Sequence, residues 1–149
     1  ISLPLGDKAG LMELNYNSMD SGTSMTQLGH RQLPGNCEFE PKLSELVHAV
    51  TLDELVASGR VAKPDMVKID VDGNELRILR GMQEVLRSPE GPSSLQVEIN
   101  PGQRQEVMRM MKECNWKLDH CHFTKGGKVE FERTQSYDKV PHNAVFVRD

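Results

Sequence analysis

The sequence contains no apolar run approaching the roughly 18–20 residues that a membrane-spanning helix needs. Its opening residues, Ile1-Ser2-Leu3-Pro4-Leu5-Gly6, carry no charged leader ahead of an apolar stretch. A soluble chain with no membrane partner is therefore expected. Charge of one sign is never gathered into a long block, since 18 Lys and Arg are interspersed with 22 Asp and Glu for a net charge of -4. No phosphate-tracking surface follows from that pattern, so nucleic acid is not expected as a partner. Cysteine is scarce: Cys37, Cys114 and Cys121 are odd in number and irregular in spacing, which suits reduced thiols in a cytoplasmic setting better than a disulfide framework. Repeats and low-complexity tracts are absent. What is present, 149 residues of which 37% are hydrophobic and 27% charged, predicts a single domain, 1–149, around one core.

Periodicity and punctuation give the elements. Ile1–Leu5 and Leu11–Leu14, with turn residues between them, predict a hairpin. Residues 15–42 are polar and glycine-rich (Ser21-Gly22-Thr23-Ser24, Gly29, Pro34-Gly35-Asn36) and form a connection too long to be bland. Val47–Val50 reads as a short strand, and Thr51-Leu52-Asp53-Glu54 as a capping box opening a helix that Gly59 closes. Met66–Val71 is a β-branched run that predicts a strand buried on both faces. Helical spacing of Leu76, Leu79, Met82 and Leu86 predicts one helix from Asn74 to Arg87. Ser94–Ile99 resumes as a strand, and Asn100-Pro101 opens a helix with Val107, Met110, Met111 and Cys114 as its apolar stripe. Lys117–Phe123, Lys128–Arg133 and Asn143–Val147 read as three short strands. The fold class is α/β, with parallel strands and an antiparallel carboxyl-terminal edge.

Strand alternation puts Met66, Lys68 and Asp70 on one face, and Gln96, Glu98 and Asn100 on one face of the next strand. Asp70, Asp72 and Glu98 then fall at strand carboxyl ends, where open α/β sheets bind ligands. Carboxylates gathered there cluster at functional sites more often than chance. The competing reading is that Lys68 and Glu98 neutralise each other inside the sheet while Asp72 caps a helix. His120-Cys121-His122 lacks the paired spacings of a zinc site. Asp70–Glu75 fails as a calcium loop because its glycine comes too early and position 81 is Gly81.

With these residues in view, the chain resembles the FkbM-type S-adenosylmethionine-dependent methyltransferases. The match is Val50-Thr51-Leu52-Asp53-Glu54-Leu55, then Pro64-Asp65-Met66-Val67-Lys68-Ile69-Asp70-Val71-Asp72-Gly73-Asn74-Glu75, Leu79-Arg80-Gly81 and Val97-Glu98-Ile99, with Asp72 where the family commonly has Glu. The opening segment and Asn143–Phe146 look like the family's central stretch and final strand. The resemblance implies a partial class I, Rossmann-like methyltransferase sheet and methylation of an oxygen on a small molecule or sugar. In that reading Asp70 and Glu98 are the catalytic carboxylates, while Lys68, Asp72 and Glu75 shape the substrate side and the turn. It also implies S-adenosylmethionine as cofactor for the complete domain. Here, however, no Gly-x-Gly occurs and Gly126-Gly127 is the sole adjacent pair, so the usual cofactor cradle is missing and tight binding by this chain is not expected. By register with the family, the resemblance implies that the chain starts at about the end of the third strand and is expected to be the carboxyl-terminal portion of the domain, either truncated or an incomplete domain completed by another chain. Such a piece is expected to be inactive alone and to self-associate through the sheet edge beside Lys68. The alternative is a non-catalytic α/β interaction module derived from the same fold.

Overall fold

The computed structural model describes residues 2–21, 25–34, 37–123 and 125–148. Gly22-Thr23-Ser24 and Gly35-Asn36 of the long polar connection lie outside the described residues. Two compact units form, one from residues 1–62 and 71–85 and the other from 63–70 and 86–149.

In the first unit β1 (Gly10–Tyr16) is central and pairs antiparallel with β2 (Thr26–Leu28) on one side. A short pair, β3 (Gln32–Leu33) and β4 (Cys37–Glu38), precedes β5 (Leu43–Ala49), which flanks β1 on its other side. Met12, Leu28 and Ala49 form the buried cluster, with Leu14 and Val47 packed against it. The expected hairpin between Ile1–Leu5 and Leu11–Leu14 does not form. Val50 donates its N–H to the Pro4 carbonyl and accepts from Gly6 N–H, so the opening segment bonds to the end of β5, leaving Leu11–Leu14 to pair within the sheet.

Helix α1 (Leu52–Ala57) opens with the expected capping box: Glu54 N–H donates to Thr51 Oγ1 at 3.1 Å and Thr51 N–H to Glu54 Oε2 at 3.1 Å. The single helix expected over 74–87 is instead α2 (Glu75–Arg80) and α3 (Gln83–Arg87). Asp53 explains the break. Its N–H takes the Gly81 carbonyl, and its carboxylate takes the Val85 and Glu84 N–H groups at 2.9 and 3.1 Å. Both partners of the helical bond that would join Gly81 to Val85 are thereby removed, and a new N-terminus is capped. Gly81 also packs so closely on the Gly6 backbone that any Cβ there would collide with the Gly6 carbonyl.

The second unit holds β6 (Met66–Ile69), β7 (Ser94–Ile99), α4 (Arg104–Glu113), β8 (Lys117–His122), α5 (Lys125–Thr134) and, after a 3-10 turn at Tyr137–Lys139, β9 (His142–Val147). Its sheet runs β6-β7-β9-β8. β6 and β7 are parallel neighbours, Val67 opposite Leu95 and Ile69 opposite Val97, and β9 is antiparallel to both β7 and β8. The expected parallel pair with an antiparallel carboxyl-terminal portion is present. The parallel pairing is confined to β6–β7, however, and β9 lies inside the sheet rather than at its rim. Three expectations need correction. Lys128–Arg133 is helical, not a strand, because only Phe131 of its alternating apolar residues has partners: it stacks on Phe123 at 4.8 Å and meets Tyr137 at 4.5 Å, while Val129 is exposed. Helix α4 begins after Gln103, since Asn100 accepts from Gln103 N–H in a turn that puts Gly102 at φ +80°. Finally, β6 is buried on one face only, with Ile69 inside and Met66 73% exposed.

Leu95, Val97, Ile99, Ala144, Phe146 and His142 line the buried sheet face. His142 donates from Nδ1 to the Val140 carbonyl at 2.9 Å, leaving Nε2 to accept from Arg104 at 2.9 Å, and the Arg104 guanidinium lies over the Tyr137 ring. Burial, with the Arg104 charge acting in the same direction, holds the His142 pKa below its ordinary 6.5. The folded state therefore keeps a neutral imidazole where the unfolded chain takes up a proton. Stability from this group is complete above about pH 6.5 and falls as pH drops toward the lower folded pKa. Urea unfolding at pH 5.5 should show lower stability than at pH 7.5. His142→Phe should flatten part of that dependence, His30, shifted in the same direction, carrying the rest.

Candidate active site at the strand ends

In the second unit Lys68 and Asp70 project from the same face of β6, as alternation requires, and pair at 2.8 Å with side chains 60% and 44% exposed. Lys68 thus pairs with Asp70 in water, and the competing reading, in which it pairs with Glu98 inside the sheet, does not describe it. Glu98 is half-buried on β7 opposite Asn143 of β9. Gln96, on the same face, donates to Asn143 Oδ1 at 2.9 Å. Lys68 lies opposite Gln96 and the parallel register ends with Ile69 opposite Val97, so its continuation by one residue sets Asp70 toward Glu98. An exposed carboxylate with an adjacent ammonium can accept a proton from a hydroxyl and orient it, and a second carboxylate on the neighbouring strand widens the patch.

In the first unit Asp72 and Gly73 adopt φ values of +55° and +117°, a turn that backbone preferences alone do not favour at Asp72. Side chains hold it. Glu75, fully buried, accepts from Val71 N–H at 3.2 Å and Gly73 N–H at 3.0 Å through Oε1. Asp72 accepts from Met25 N–H through its carboxylate at 3.2 Å and from Gln27 Nε2 through its carbonyl at 2.7 Å. Gln27 Oε1 in turn accepts from Asn74 Nδ2 at 3.0 Å, and Asn74 Oδ1 meets His30 Nε2 at 3.2 Å. Gln32 N–H donates to His30 Nδ1, which assigns the proton of the ring to Nε2. Asn15 continues the network, donating to the His30 carbonyl and accepting from Ser44. Burial keeps the His30 pKa below 6.5 despite the Asn74 hydrogen bond.

Asn15 and Gln27 do not stand out in the sequence as site residues, Asn74 appears only within the family-like run, and His30, which beside Thr23 and Ser24 could suggest a base, reads there as part of a hydrogen-bonded loop. No sequence signal marks the network, because Gln27, though fully buried, lies in a stretch that reads as polar connection. Several recesses open on this unit, among them a shallow one of about 600 Å³ that also has His30 and Arg31 in its wall, with Gln32, Glu38, Phe39 and Glu40, and two that bear on the network. One, of about 590 Å³, has His30, Arg31, Arg77, Lys8 and Glu13 in its wall. The other, about 350 Å³ and largely apolar, lies among Leu3, Leu5, Leu14, Leu28 and Ile78. Asp70 and Glu98 line neither.

The strand-to-helix turn after β6 is also where a donor cofactor could be sought, because amide N–H groups there can face an anion. Val71 and Gly73 spend theirs on Glu75, and a Cβ at Gly73 would touch Pro34 at 3.3 Å. The turn is closed by the chain's own groups and does not fit an S-adenosylmethionine cradle.

Comparison with known proteins follows this geometry. The profile of the methyltransferase FkbM domain matches residues 2–118, running through both units. The chain belongs to the methyltransferase FkbM domain family. A curated relative, the hexuronic acid methyltransferase AglP of Haloferax volcanii, is 39% identical over 71 residues, 47% of this chain and 28% of the relative. The chain thus aligns with less than a third of that protein's length. No solved structure matches it. As a mixed α/β member of the FkbM family it has, among the described residues, no helix long and apolar enough to cross a membrane.

The network predicts its own weak point. Asn74→Ala leaves Gln27 Oε1 and His30 Nε2 without their partners in a buried setting, and should lower unfolding free energy by about 1–3 kcal/mol in urea titration. An unchanged midpoint would show that the turn holds without them.

Proposed function

We propose that this chain forms the acceptor side of an S-adenosylmethionine-dependent methyltransferase that methylates an oxygen of a small molecule or sugar. The observation that carries this reading is the family match, which spans both units and includes the strand end bearing Asp70 and the turn bearing Asp72 and Glu75. The two units are read as parts of one methyltransferase domain, and the β6–β7 parallel pair with its antiparallel neighbours as the carboxyl-terminal part of a class I, Rossmann-like sheet. The hexuronic acid relative favours a sugar acid as acceptor.

S-adenosylmethionine provides an electrophilic methyl group, but the residues here supply no cradle for it, so their role is confined to the acceptor. Asp70 receives the proton of an acceptor hydroxyl, Lys68 holds the carboxylate in place, and Glu98 orients the acceptor from the neighbouring strand. Asp72 and Glu75 fix the turn that follows. An acceptor that is itself a carboxylate needs no base, and Asp70 then has a positioning role only. As the end strand of its sheet, β6 also offers the edge through which copies of the chain could pair.

Transfer of labelled methyl from S-adenosylmethionine by the full-length protein to a panel of sugars and sugar acids tests the reading. Asp70→Asn, at an exposed position, should leave folding intact and lower kcat for hydroxyl acceptors by about 10²-fold or more. Calorimetry with the 149 residues alone should show no binding of S-adenosylmethionine near the micromolar range, which corresponds to about -8 kcal/mol. An intact fold that transfers no methyl to any oxygen acceptor would favour the non-catalytic interaction module.

A further inference from the structure

We infer that the 590 Å³ recess on the first unit, walled by Lys8, His30 and Arg31, is a recognition site for the carboxylate-bearing ring of a sugar acid. The inference rests on the sugar-acid reading above. The recess is of a size that small ligands occupy, and its wall has two parts with different mobility. Arg77 is fixed. Its guanidinium donates to the Asp7 carboxylate at 2.8 and 3.2 Å and to the Leu28 carbonyl, and it packs under Gly29, where a Cβ would come within 3.2 Å of Nη1. Asp7 neutralises it, so Arg77 gives the recess a floor rather than a free charge.

The remaining cations are available. Lys8 is exposed and makes no ion pair among the described residues, while Arg31 is held only by Glu13, at 3.5 Å with both side chains about half exposed. Exposed pairs of that geometry are worth little, so a ligand carboxylate can take the planar guanidinium from Glu13, with Lys8 as the second cation. Between them His30 is immobilised, both ring nitrogens bonded to the chain itself. It therefore presents a fixed neutral ring to the ligand and exchanges no proton with it. Asn15, also in the wall, is anchored by Ser44 and the His30 carbonyl. With Glu13 also in the wall and Arg77 neutralised by Asp7, the two mobile cations leave a single net positive charge, which together with a fixed ring and floor suits one flat, singly charged polyol. A polyphosphate would demand more positive charge than is present.

The test is a titration of the full chain with D-glucuronate, followed by amide NMR shifts and calorimetry, with D-glucose and inorganic phosphate as comparison probes. Saturable shifts confined to Lys8, Ala9, Gly29, His30 and Arg31 are expected with glucuronate, none with glucose, and weaker ones with phosphate. Lys8→Met and Arg31→Gln, both at exposed positions, should each weaken glucuronate binding about tenfold with unchanged melting temperature. Glucuronate shifts elsewhere or none at all, equal response to glucose or phosphate, or full affinity in the double variant would each overturn the assignment. Methyl transfer by the full-length protein without glucuronate binding at this recess would reject the recess and leave the proposed function standing. Binding here without any methyl transfer would do the reverse.

Discussion

Two successive residues at positive φ, Asp72 and Gly73, turn the chain from β6 toward α2, and the groups that stabilise this turn come from three separate stretches of sequence. Glu75 closes it from the helix side, Met25 and Gln27 from β2 and the residue before it, and Asn74 ties it to His30. A left-handed aspartate is strained when isolated. Here its carbonyl and carboxylate both receive donors that are themselves fixed in or beside a sheet, so the strain is offset where it arises. The positions of β2, His30 and α2 all depend on this junction. Its partners are mostly uncharged amides, which cost less to bury than ions when every donor finds an acceptor.

Strong local signals were legible in the sequence. The β-branched run of β6, the β7 run Ser94–Ile99 and the Thr51–Glu54 capping box appear at or within a residue or two of where pattern placed them. Alternation also put Lys68 with Asp70 on one face, as their ion pair shows. What alternation could not give was how much of each face is covered. Met66 and Lys68 read as interior because the run is apolar on both parities near its ends, yet only the Val67–Ile69 parity meets the packed face of β7.

The misread elements share a cause, namely a distant group overriding a local pattern. Lys128–Arg133 alternates apolar and charged residues, and that period suggested a strand until Phe123 and Tyr137 selected Phe131 and left Val129 in water. The apolar stripe from Leu76 to Leu86 is continuous, so no sequence signal short of Gly81 marks the break that Asp53 imposes from nearly thirty residues away. Leu11–Leu14 likewise found its partner in β5 rather than across the nearest turn. As for the candidate site, the carboxylates were legible because their chemistry is visible as residue type. The amide network was not, since Gln and Asn on paper resemble any surface polar residue until burial shows that they must be paired.

The two units differ in how their polar groups are held. Asp70 is 44% exposed on its sheet face and Lys68 pairs with it in a setting of high dielectric, while Glu98 is half-buried. Electrostatic selectivity there is weak, because water and salt screen it. Around His30 the position is reversed. The ring, Asn15 and Arg77 are each held by two or more hydrogen bonds, so these groups leave little ordering for a ligand to impose, whereas Lys8 and Arg31 would still have to be ordered. Within the first unit, then, the bonded groups keep their places with or without a ligand, and the exposed Lys8 and Arg31 are the part of the recess wall that a ligand would order.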